Sequence, residues 1–253
     1  MSSGPFSLDG LTALVTGASR GIGAAIATAL AAAGADVACH GNQRAPEETC
    51  DRVRALGRRA LALRGDLHQR ETPAALIDAT VKGLGAVDLL INNAGTIRRA
   101  PAADTADDDW DLVIEVNLSS VFRMCRLAGR HMITRGRGKI VNIASLLTFQ
   151  GGLTVPAYAA SKGGVGQLTK ALANEWASKG VNVNAIAPGY IRTDNTSQLQ
   201  QDPTRSRQIL ERIPAGRWGE PEDLAGAAVF LCARASDFVH GHILVVDGGW
   251  LGR

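Results

Sequence analysis

The feature that most constrains the fold is an apolar segment, a glycine-rich turn and a helix-forming segment in succession near the start of the chain. Residues 11–15 form the apolar segment, which predicts a buried parallel strand. Gly17, Gly21 and Gly23 follow it, and residues 24–33 then favour a helix. Glycines in this context permit a tight turn, close approach of the backbone to a pyrophosphate, and close helix–strand packing. Because the N–H groups of a helix N-terminus attract phosphate, this unit predicts dinucleotide binding.

Strands and helices alternate along the rest of the sequence. The further predicted strands are residues 36–40, 59–67, 87–91, 139–144, 181–187 and 242–247, and the further predicted helices are 47–56, 72–84, one or two within 104–132, 158–178 and 220–232. This alternation predicts an α/β fold, a Rossmann-like doubly wound parallel sheet with helices on both faces. Neither a linker nor a repeat interrupts it, so we expect a single domain over residues 1–253. Residues 191–214 are polar and irregular, which predicts a substrate lid within that domain.

Composition excludes several classes of function. Hydrophobic residues make up 45% of the chain and charged residues 20%, as in soluble globular proteins. A net charge of +3 is too small to indicate nucleic-acid binding. No apolar run is long enough for a membrane span, and the N-terminus lacks the pattern of a signal peptide, so we expect a cytoplasmic protein. The cysteines, Cys39, Cys50, Cys125 and Cys232, lack metal-binding spacing and are expected to be buried thiols, with no bound metal.

Tyr158 and Lys162 suggest acid–base chemistry. They lie four residues apart in a predicted helix, so their side chains share one face. A neighbouring ammonium favours the phenolate, so we expect the pKa of Tyr158 to fall toward neutrality. Ser145 follows the strand of residues 139–144, where its hydroxyl can point into a crevice. A hydroxyl, a phenol and a lysine suit proton transfer at a carbonyl or alcohol oxygen. Taken alone, however, the Tyr–Lys spacing is more often an ordinary helix face.

The loop after the second strand bears on the choice of cofactor. NAD sites usually place an acidic side chain on the adenosine ribose about twenty residues after the glycine-rich turn. Residues 37–46 contain no Asp or Glu, but they contain Asn42 and Arg44, and Arg20 lies inside the glycine-rich turn. Arginine pairs well with phosphate, so we expect NADP(H) to bind at least as tightly as NAD(H). These residues could equally form a solvated loop.

Further candidates follow other predicted strands. Asp66 could accept a hydrogen bond from an adenine amino group or cap the next helix. The small residues of Asn92-Asn93-Ala94-Gly95 allow the backbone to lie against a flat ligand, whereas Asn92 could instead pin neighbouring loops. Asn117 lies in a predicted helix, where Asn is unfavourable. Pro188-Gly189 ends the sixth strand. Ligands bind at the carboxyl ends of parallel strands, so the convergence of these positions favours a functional site.

Together these residues resemble the short-chain dehydrogenase/reductase family over nearly the full length of the chain. The matching pieces are Thr16-Gly17-x-x-x-Gly21-x-Gly23, Asp66, Asn92-Asn93-Ala94-Gly95, Asn117, Ser145, Tyr158-x-x-x-Lys162 and Pro188-Gly189. The resemblance implies hydride transfer between a nicotinamide cofactor, NAD(P)(H), and a carbonyl/alcohol pair.

The resemblance also implies a role for individual residues. Tyr158 would be the acid/base, and Ser145 would bond the substrate oxygen. Lys162 would bind the ribose and lower the pKa of Tyr158, and Asn117 would hold a proton-relaying water. The implied cofactor contacts are Gly17, Ser19, Arg20, Gly21, Ile22, Gly23, Asn42, Asp66, Leu67, Asn93, Ala94, Gly95, Tyr158, Lys162, Pro188, Gly189, Ile191 and Thr193. The family commonly forms tetramers, so a homotetramer built through residues 104–132 and 158–178 is expected.

A narrower resemblance points to the branch of this family that acts on keto or hydroxy sugar acids of the 2-deoxy-D-gluconate or 2-dehydro-3-deoxy-D-gluconate type. It covers residues 92–99, 145–158, 187–190, 212–219 and 246–251. A guanidinium suits the carboxylate of such a substrate, which makes Arg98 or Arg99 a candidate, and Gln150 could bond sugar hydroxyls. The arginine pair could equally be a solvated loop. The alternatives are a 3-oxoacyl-thioester reductase, which would share the catalytic motifs, and a cofactor-binding regulator without turnover.

Overall fold

The computed structural model describes residues 4–253. Over these residues it contains seven strands, β1 (Thr12–Val15), β2 (Asp36–Gly41), β3 (Ala60–Arg64), β4 (Leu89–Asn92), β5 (Gly138–Ile143), β6 (Val181–Pro188) and β7 (Ile243–Val246). The α-helices in the same range are α1 (Gly21–Ala32), α2 (Glu47–Ala55), α3 (Thr72–Leu84), α4 (Asp107–Ile114), α5 (Ser120–Arg135), α6 (Pro156–Trp176), α7 (Ser197–Gln201), α8 (Pro203–Arg212) and α9 (Ala225–Cys232).

All seven strands of the described chain join one parallel sheet in the order β3-β2-β1-β4-β5-β6-β7. The order reverses at β1, where Val15 lies opposite Cys39 of β2 on one side and Ile91 of β4 on the other. In open α/β sheets, ligands bind at the carboxyl ends of the strands beside such a reversal. The predicted fold class is therefore confirmed, and the crevice between β1 and β4 is the place to look for a site.

Helices cover both faces of the sheet. One buried cluster contains residues of α1, α2 and α9, including Ile26, Val53 and Leu231, packed against the sheet. The other contains residues of α3, α5 and α6, including Leu76 and Met124. Because every strand from β1 to β6 except β3 is almost fully buried, the sheet forms the buried centre of the molecule.

The predicted elements differ from the observed ones mainly at their ends. The third strand stops at Arg64, so Asp66 lies in the turn beyond it. The helical region of residues 104–132 is divided by one turn of π-helix, Glu115–Ser119, between α4 and α5. Residues 191–214 contain a 3-10 turn, α7 and α8. No helix within residues 4–253 is long and apolar enough to cross a membrane.

Candidate active site

The glycine-rich turn after β1 presses closely against the turn after β4. Gly17 has a φ of +65°, and a Cβ on it would lie 2.9 Å from the Cα of Ala94. A Cβ on Gly23 would overlap the carbonyl oxygen of Gly17. Side chains at these positions would therefore force the two turns apart.

Asn93 holds these two turns together. Its Nδ2 donates to the carbonyl oxygens of Thr16 and Gly17, at 3.0 Å each. The Thr16 hydroxyl in turn accepts from the backbone N–H groups of Asn93 and Ala94 at 3.0 and 3.1 Å. Asn92 faces the other way and donates to Asn142 Oδ1 inside the sheet at 2.9 Å. Of the two asparagines, Asn93 shapes the glycine-rich turn and Asn92 is the structural pin.

The N-terminus of α1 is open to an anion. Arg20 occupies the position before the helix with extended backbone and no side-chain cap, and the first turn carries no acidic residue. The unpaired N–H groups of Gly21, Ile22 and Gly23 and the positive end of the helix dipole are the features that bind a pyrophosphate. With the close approach at Gly17, these residues fit a dinucleotide cofactor.

The end of β2 contains a buried histidine that the sequence patterns did not single out. His40 Nδ1 accepts from the backbone N–H of Gly17 at 3.3 Å, and its Nε2 lies 3.0 Å from the carbonyl oxygen of Gly65. Both contacts are satisfied only by the neutral tautomer with the proton on Nε2. Burial lowers the pKa of His40, and the charge of Asp66 partly opposes that shift. His40 thus ties the glycine-rich turn to the end of β3.

Polar groups gather where an adenosine would lie in this fold. Asn42 is exposed, and Arg64 donates to the carbonyl oxygen of Gln43 at 3.0 Å. Arg44 pairs with Glu48 on the next helix at 3.2 Å. Asp66 accepts from the N–H of His68 at 3.0 Å, so it caps a turn and not α3, which begins at Thr72. Leu67 beside it is buried in the core.

The segment after β6 reaches back to the glycine-rich turn. Arg20 pairs with Asp194 at 2.6 Å, and a Cβ on Gly21 would lie 3.5 Å from Thr193 Cγ2. Pro188 ends β6, the N–H of Gly189 donates to Val246 at 2.9 Å, and Ile191 is buried. Ser19 donates to the carbonyl oxygen of Arg44 at 2.6 Å, on the other side of the turn. The predicted cofactor positions of β1, β2, β4 and β6 therefore surround one crevice.

Ser145 leaves the end of β5 in extended conformation and begins a 3-10 turn. Its Oγ accepts from the N–H of Leu147 at 3.1 Å, while Thr148 Oγ1 accepts from the N–H of Ser145 at 3.3 Å. This reciprocal cap fixes the Ser145 side chain at the strand end and leaves its O–H proton available to donate.

Tyr158 and Lys162 share one face of α6, as predicted from their spacing. Lys162 Nζ lies 5.7 Å from the centre of the Tyr158 ring and donates to the carbonyl oxygen of Ile143 at 2.6 Å. The Lys162 side chain is buried, and burial lowers its pKa to about 8. The helix and the end of β5 are thus joined through the lysine.

The prediction that the pKa of Tyr158 falls toward neutrality is wrong for the protein chain alone. Burial raises the pKa of Tyr158, and this outweighs the opposing effects of the Ser145 hydroxyl and the charge of Arg99. Loss of solvation disfavours the phenolate more than these neighbours favour it. At neutral pH the residue is therefore a neutral phenol, a hydrogen-bond donor.

Asn117 lies in the π-helical turn between α4 and α5 and is fully buried. Its Oδ1 accepts from the N–H of Thr96 at 2.8 Å, and its Nδ2 donates to Thr96 O at 2.8 Å and Ser161 Oγ at 3.3 Å. A π-helical turn inside a helix often marks a functional position. Here the π-helical turn places the Asn117 amide in contact with the segment after β4 and with α6, which carries Tyr158.

The two candidate arginines for a substrate carboxylate point to different surroundings. Arg98 pairs with Asp109 of α4 at 3.1 Å and also donates to the Thr96 hydroxyl at 3.3 Å. Arg99 donates to the carbonyl oxygen of Asn195 at 3.4 Å, and its charge acts on Tyr158 and Tyr190. The structure therefore favours Arg99 over Arg98 as a residue that faces the site.

The far side of the crevice is lined by aromatic residues. Gln150 Oε1 accepts from the indole N–H of Trp250 at 3.1 Å. Tyr190 packs on Trp250 with ring centres 4.6 Å apart, and the guanidinium of Arg212 lies 4.1 Å from the centre of the Trp250 ring. Burial raises the pKa of Tyr190, opposed by the charges of Arg205, Arg212 and Arg99. This side of the crevice thus combines an aromatic cluster with a stacked guanidinium.

Comparison with known proteins identifies the family. A family model described as enoyl-(acyl carrier protein) reductase matches residues 17–251. The chain is 56% identical over 250 residues to a 2-dehydro-3-deoxy-D-gluconate 5-dehydrogenase of Pseudoalteromonas atlantica, with 98% of each chain covered. The chain belongs to the short-chain dehydrogenase/reductase family.

Solved structures of short-chain dehydrogenases/reductases have the same fold. A candidate 2-deoxy-D-gluconate 3-dehydrogenase of Agrobacterium tumefaciens with bound NADP is 54% identical, covering 99% of this chain and 100% of its own, with a TM-score of 0.91. An NAD(P)-dependent gluconate 5-dehydrogenase candidate of Beutenbergia cavernae, also with NADP, is 49% identical with a TM-score of 0.95 at the same coverage. The resemblance to the family and to its sugar-acid branch is therefore confirmed.

Sequence patterns missed several residues of this short-chain dehydrogenase/reductase site. His40 is the penultimate residue of β2 and Arg64 is the last residue of β3, and a position near a strand's carboxyl end was the only signal that could have singled them out. Tyr190 follows the Pro188-Gly189 pair and would have been found by the same rule. The contact between Gln150 and Trp250 joins positions far apart in the chain and has no sequence signal at all.

Proposed function

We propose that this chain is an NAD(P)-dependent oxidoreductase that interconverts a hydroxyl and a keto group on a sugar acid of the 2-deoxy-D-gluconate or 2-dehydro-3-deoxy-D-gluconate type. The observation that carries the proposal is the placement of Tyr158 and Lys162 on one face of α6, beside Ser145 at the end of β5. The names of relatives that share half or more of their residues with this chain support the same activity.

The nicotinamide cofactor, when bound, supplies or accepts the hydride. In the proposed arrangement the open N-terminus of α1 and the glycine-rich turn hold its pyrophosphate, with Asn93 bracing that turn. Asn42, Asp66, Leu67, Ala94 and Gly95 lie on the adenosine side, and Lys162, Pro188, Gly189, Ile191 and Thr193 lie on the nicotinamide side.

Tyr158 is the proposed proton donor in reduction and acceptor in oxidation. Its raised pKa keeps the phenol protonated at neutral pH, which suits donation to a carbonyl oxygen. Ser145 donates a hydrogen bond to that same oxygen, where negative charge develops in the transition state. Lys162, when protonated, stabilises the phenolate that donation leaves behind. Asn117 holds a water that passes the proton onward.

The substrate side is proposed to recognise a carboxylate and hydroxyl groups. Arg99 is the residue we assign to the carboxylate, because Arg98 is engaged with Asp109. Gln150 is assigned to a sugar hydroxyl. We further propose that residues 191–214 form a substrate lid, since Asp194 already contacts Arg20 at the edge of the cofactor crevice.

NADP(H) is the proposed physiological cofactor. Arg44 and Arg64 flank the loop of Asn42, and residues 37–46 offer no carboxylate that would repel a 2′-phosphate. Structures of two relatives with bound NADP agree with this assignment.

The deciding experiment is a panel of hexonates, ketohexonates, neutral ketones and a 3-oxoacyl thioester, assayed with NADPH and NADH or their oxidised forms at the nicotinamide absorbance. We expect turnover of a sugar acid, with NADPH bound at least as tightly as NADH. Turnover of the thioester alone would establish the acyl reductase instead. Tight nucleotide binding without any turnover would indicate a regulator.

The assembly and location are also proposals. We propose a homotetramer in the cytoplasm. Members of the family commonly form tetramers, and the exposed aromatic side chains of Trp110 on α4 and Phe122 on α5 support such an assembly. Sedimentation velocity tests the assembly, and a monomer at micromolar concentration would contradict it.

A further inference from the structure

One hydrogen bond connects the catalytic loop to the C-terminal turn. Gln150 lies just beyond the 3-10 turn that Ser145 begins, and Trp250 begins a 3-10 turn, Trp250–Gly252, after β7. The indole N–H of Trp250 donates to Gln150 Oε1 at 3.1 Å. Trp250 is only 6% exposed, so water cannot easily replace Gln150 as the acceptor.

The Trp250 ring is itself held in place on several sides. Tyr190 packs on it at 4.6 Å, and the guanidinium of Arg212 covers it at 4.1 Å. The carboxylate of Asp247 accepts from the N–H groups of Gly249 and Leu251 at 2.8 Å each, which fixes the turn that carries Trp250. The direction of the indole N–H is therefore set by the fold.

An indole can only donate, so it selects which end of the Gln150 amide faces it. The oxygen must point to Trp250, and the two N–H groups of Nε2 must point elsewhere. Within residues 4–253, Nε2 of Gln150 has no hydrogen-bond acceptor, and the side chain is only half-buried. A donor held in one direction without a protein partner is suited to bind a ligand oxygen.

We propose that Trp250 is a positioning residue that fixes the Gln150 amide so that Nε2 donates to a hydroxyl or carboxylate oxygen of the substrate. The proposal rests on the sugar-acid oxidoreductase function argued above and adds the C-terminal turn to its specificity. A freely rotating amide would present oxygen or nitrogen equally, whereas the fixed amide presents only a donor. The C-terminal turn thereby contributes to substrate affinity without touching the substrate.

Trp218 provides a matched control inside the same aromatic cluster. It is 2% exposed, packs edge-on against Tyr190 at 5.6 Å, and its indole nitrogen has no hydrogen-bond partner in the described chain. Replacing either tryptophan by Phe removes a similar ring volume and one N–H. Only the replacement at Trp250 removes a donor to Gln150.

The test measures kcat and KM for the preferred sugar acid, the Kd of NADPH and the thermal midpoint for Trp250→Phe, Gln150→Ala, the double variant and Trp218→Phe. We expect Trp250→Phe to raise KM about tenfold with little change in kcat or NADPH affinity, as for the loss of one oriented hydrogen bond to a polar substrate. The double variant should match Gln150→Ala, because Trp250 acts only through Gln150. Trp218→Phe should leave KM unchanged.

Several outcomes would overturn the proposal. An unchanged KM in Trp250→Phe, equal effects of the two tryptophan replacements, or additive effects in the double variant would each do so. Should Trp250→Phe fail to fold, Gln150→Glu retains the acceptor for the indole but lacks the donor, and a KM equal to that of the natural chain would refute the inference. Absence of sugar-acid turnover in the natural chain would instead refute the proposed function.

Discussion

Asn93 and Arg99 both follow β4, yet they belong to regions of opposite character. Asn93 braces the cofactor crevice through two hydrogen bonds to backbone carbonyl oxygens. The neighbouring Thr16 hydroxyl is buried and accepts two backbone hydrogen bonds. Arg99 lies on the proposed substrate side, where contacts involve exposed side chains, as in the pair of Arg98 with Asp109 and the bond from Arg99 to the carbonyl oxygen of Asn195. The first region is fixed, and the second can rearrange.

The physical basis of this difference is solvent. A buried backbone group that loses its partner costs about 1–3 kcal/mol, whereas an exposed ion pair contributes about 0–1 kcal/mol. Substitutions in the cofactor crevice should therefore disturb nucleotide affinity and folding together. Substitutions on the substrate side should change KM while stability stays the same.

Tyr158→Phe, where the two regions meet, should have the largest effect. Removing the phenol hydroxyl removes the proposed acid, so kcat should fall by about a thousandfold or more. The NADPH Kd and the thermal midpoint should stay close to those of the natural chain, because the glycine-rich turn and the N-terminus of α1, which hold the pyrophosphate in the proposal, are unchanged. Stopped-flow or steady-state assays measure kcat, and fluorescence titration measures the NADPH Kd. Normal turnover in Tyr158→Phe would remove the catalytic assignment.

Asn93→Ala should show the coupled behaviour of the cofactor crevice. Loss of the two bonds to Thr16 and Gly17 should weaken NADPH binding by about thirtyfold and lower the free energy of unfolding by about 2 kcal/mol. Calorimetric titration and urea denaturation measure these quantities. Asn42→Ala, at an exposed position next to the same crevice, serves as the control for stability and should leave it unchanged.

Arg99→Ala and Arg98→Ala should distinguish the roles of two adjacent arginines in substrate binding. We expect Arg99→Ala to raise KM for sugar acids about tenfold and to leave KM for a neutral ketone alone, because only the acid offers a carboxylate. Arg98→Ala should have a smaller effect, since Asp109 already engages that guanidinium. Equal effects of Arg99→Ala on acids and neutral ketones would eliminate the carboxylate assignment.

Substitution of His40 should have the smallest effect, which is a change in how NADPH affinity depends on pH. Burial holds the pKa of His40 below its ordinary value, so the unfolded chain takes up this proton at higher pH than the folded chain. Stability and NADPH affinity should be constant above about pH 7 and decline as pH falls below the ordinary histidine pKa of about 6.5, once protonation competes with the bond from Gly17. In His40→Asn the change in Kd between pH 7 and pH 5.5 should be a few-fold smaller.

His131 supplies the control for that measurement. Burial also lowers the pKa of His131, but its Nε2 accepts from Val87 N–H at the opposite end of β4. His131→Asn should therefore alter how stability depends on pH without altering how the NADPH Kd depends on pH. If both variants changed the Kd profile alike, the effect would come from global stability and not from the His40 contact.

The succession of strands and helices along the chain, the motif positions and the bounds of α3 could be predicted from the sequence because each depends on local patterns. The orientation of Arg98 against Arg99 could not, since neighbouring residues in an irregular segment carry no periodic signal. The π-helical turn at Asn117 was also hidden, because helix propensity says nothing about one extra residue in a turn. The direction of the Tyr158 pKa shift depended on how deeply the phenol is buried, which no spacing reveals.

The Trp250 indole lies beside Tyr190, Arg212 and Gln150, so it is also an intrinsic fluorescence probe of the substrate side. Indole emission responds to the charges and hydrogen-bond partners within a few ångströms of the ring. A substrate oxygen that accepts from Gln150 Nε2, or a carboxylate that approaches Arg212, will change that emission before any hydride moves. Substrate arrival can thus be timed separately from the nicotinamide signal, without attaching a dye.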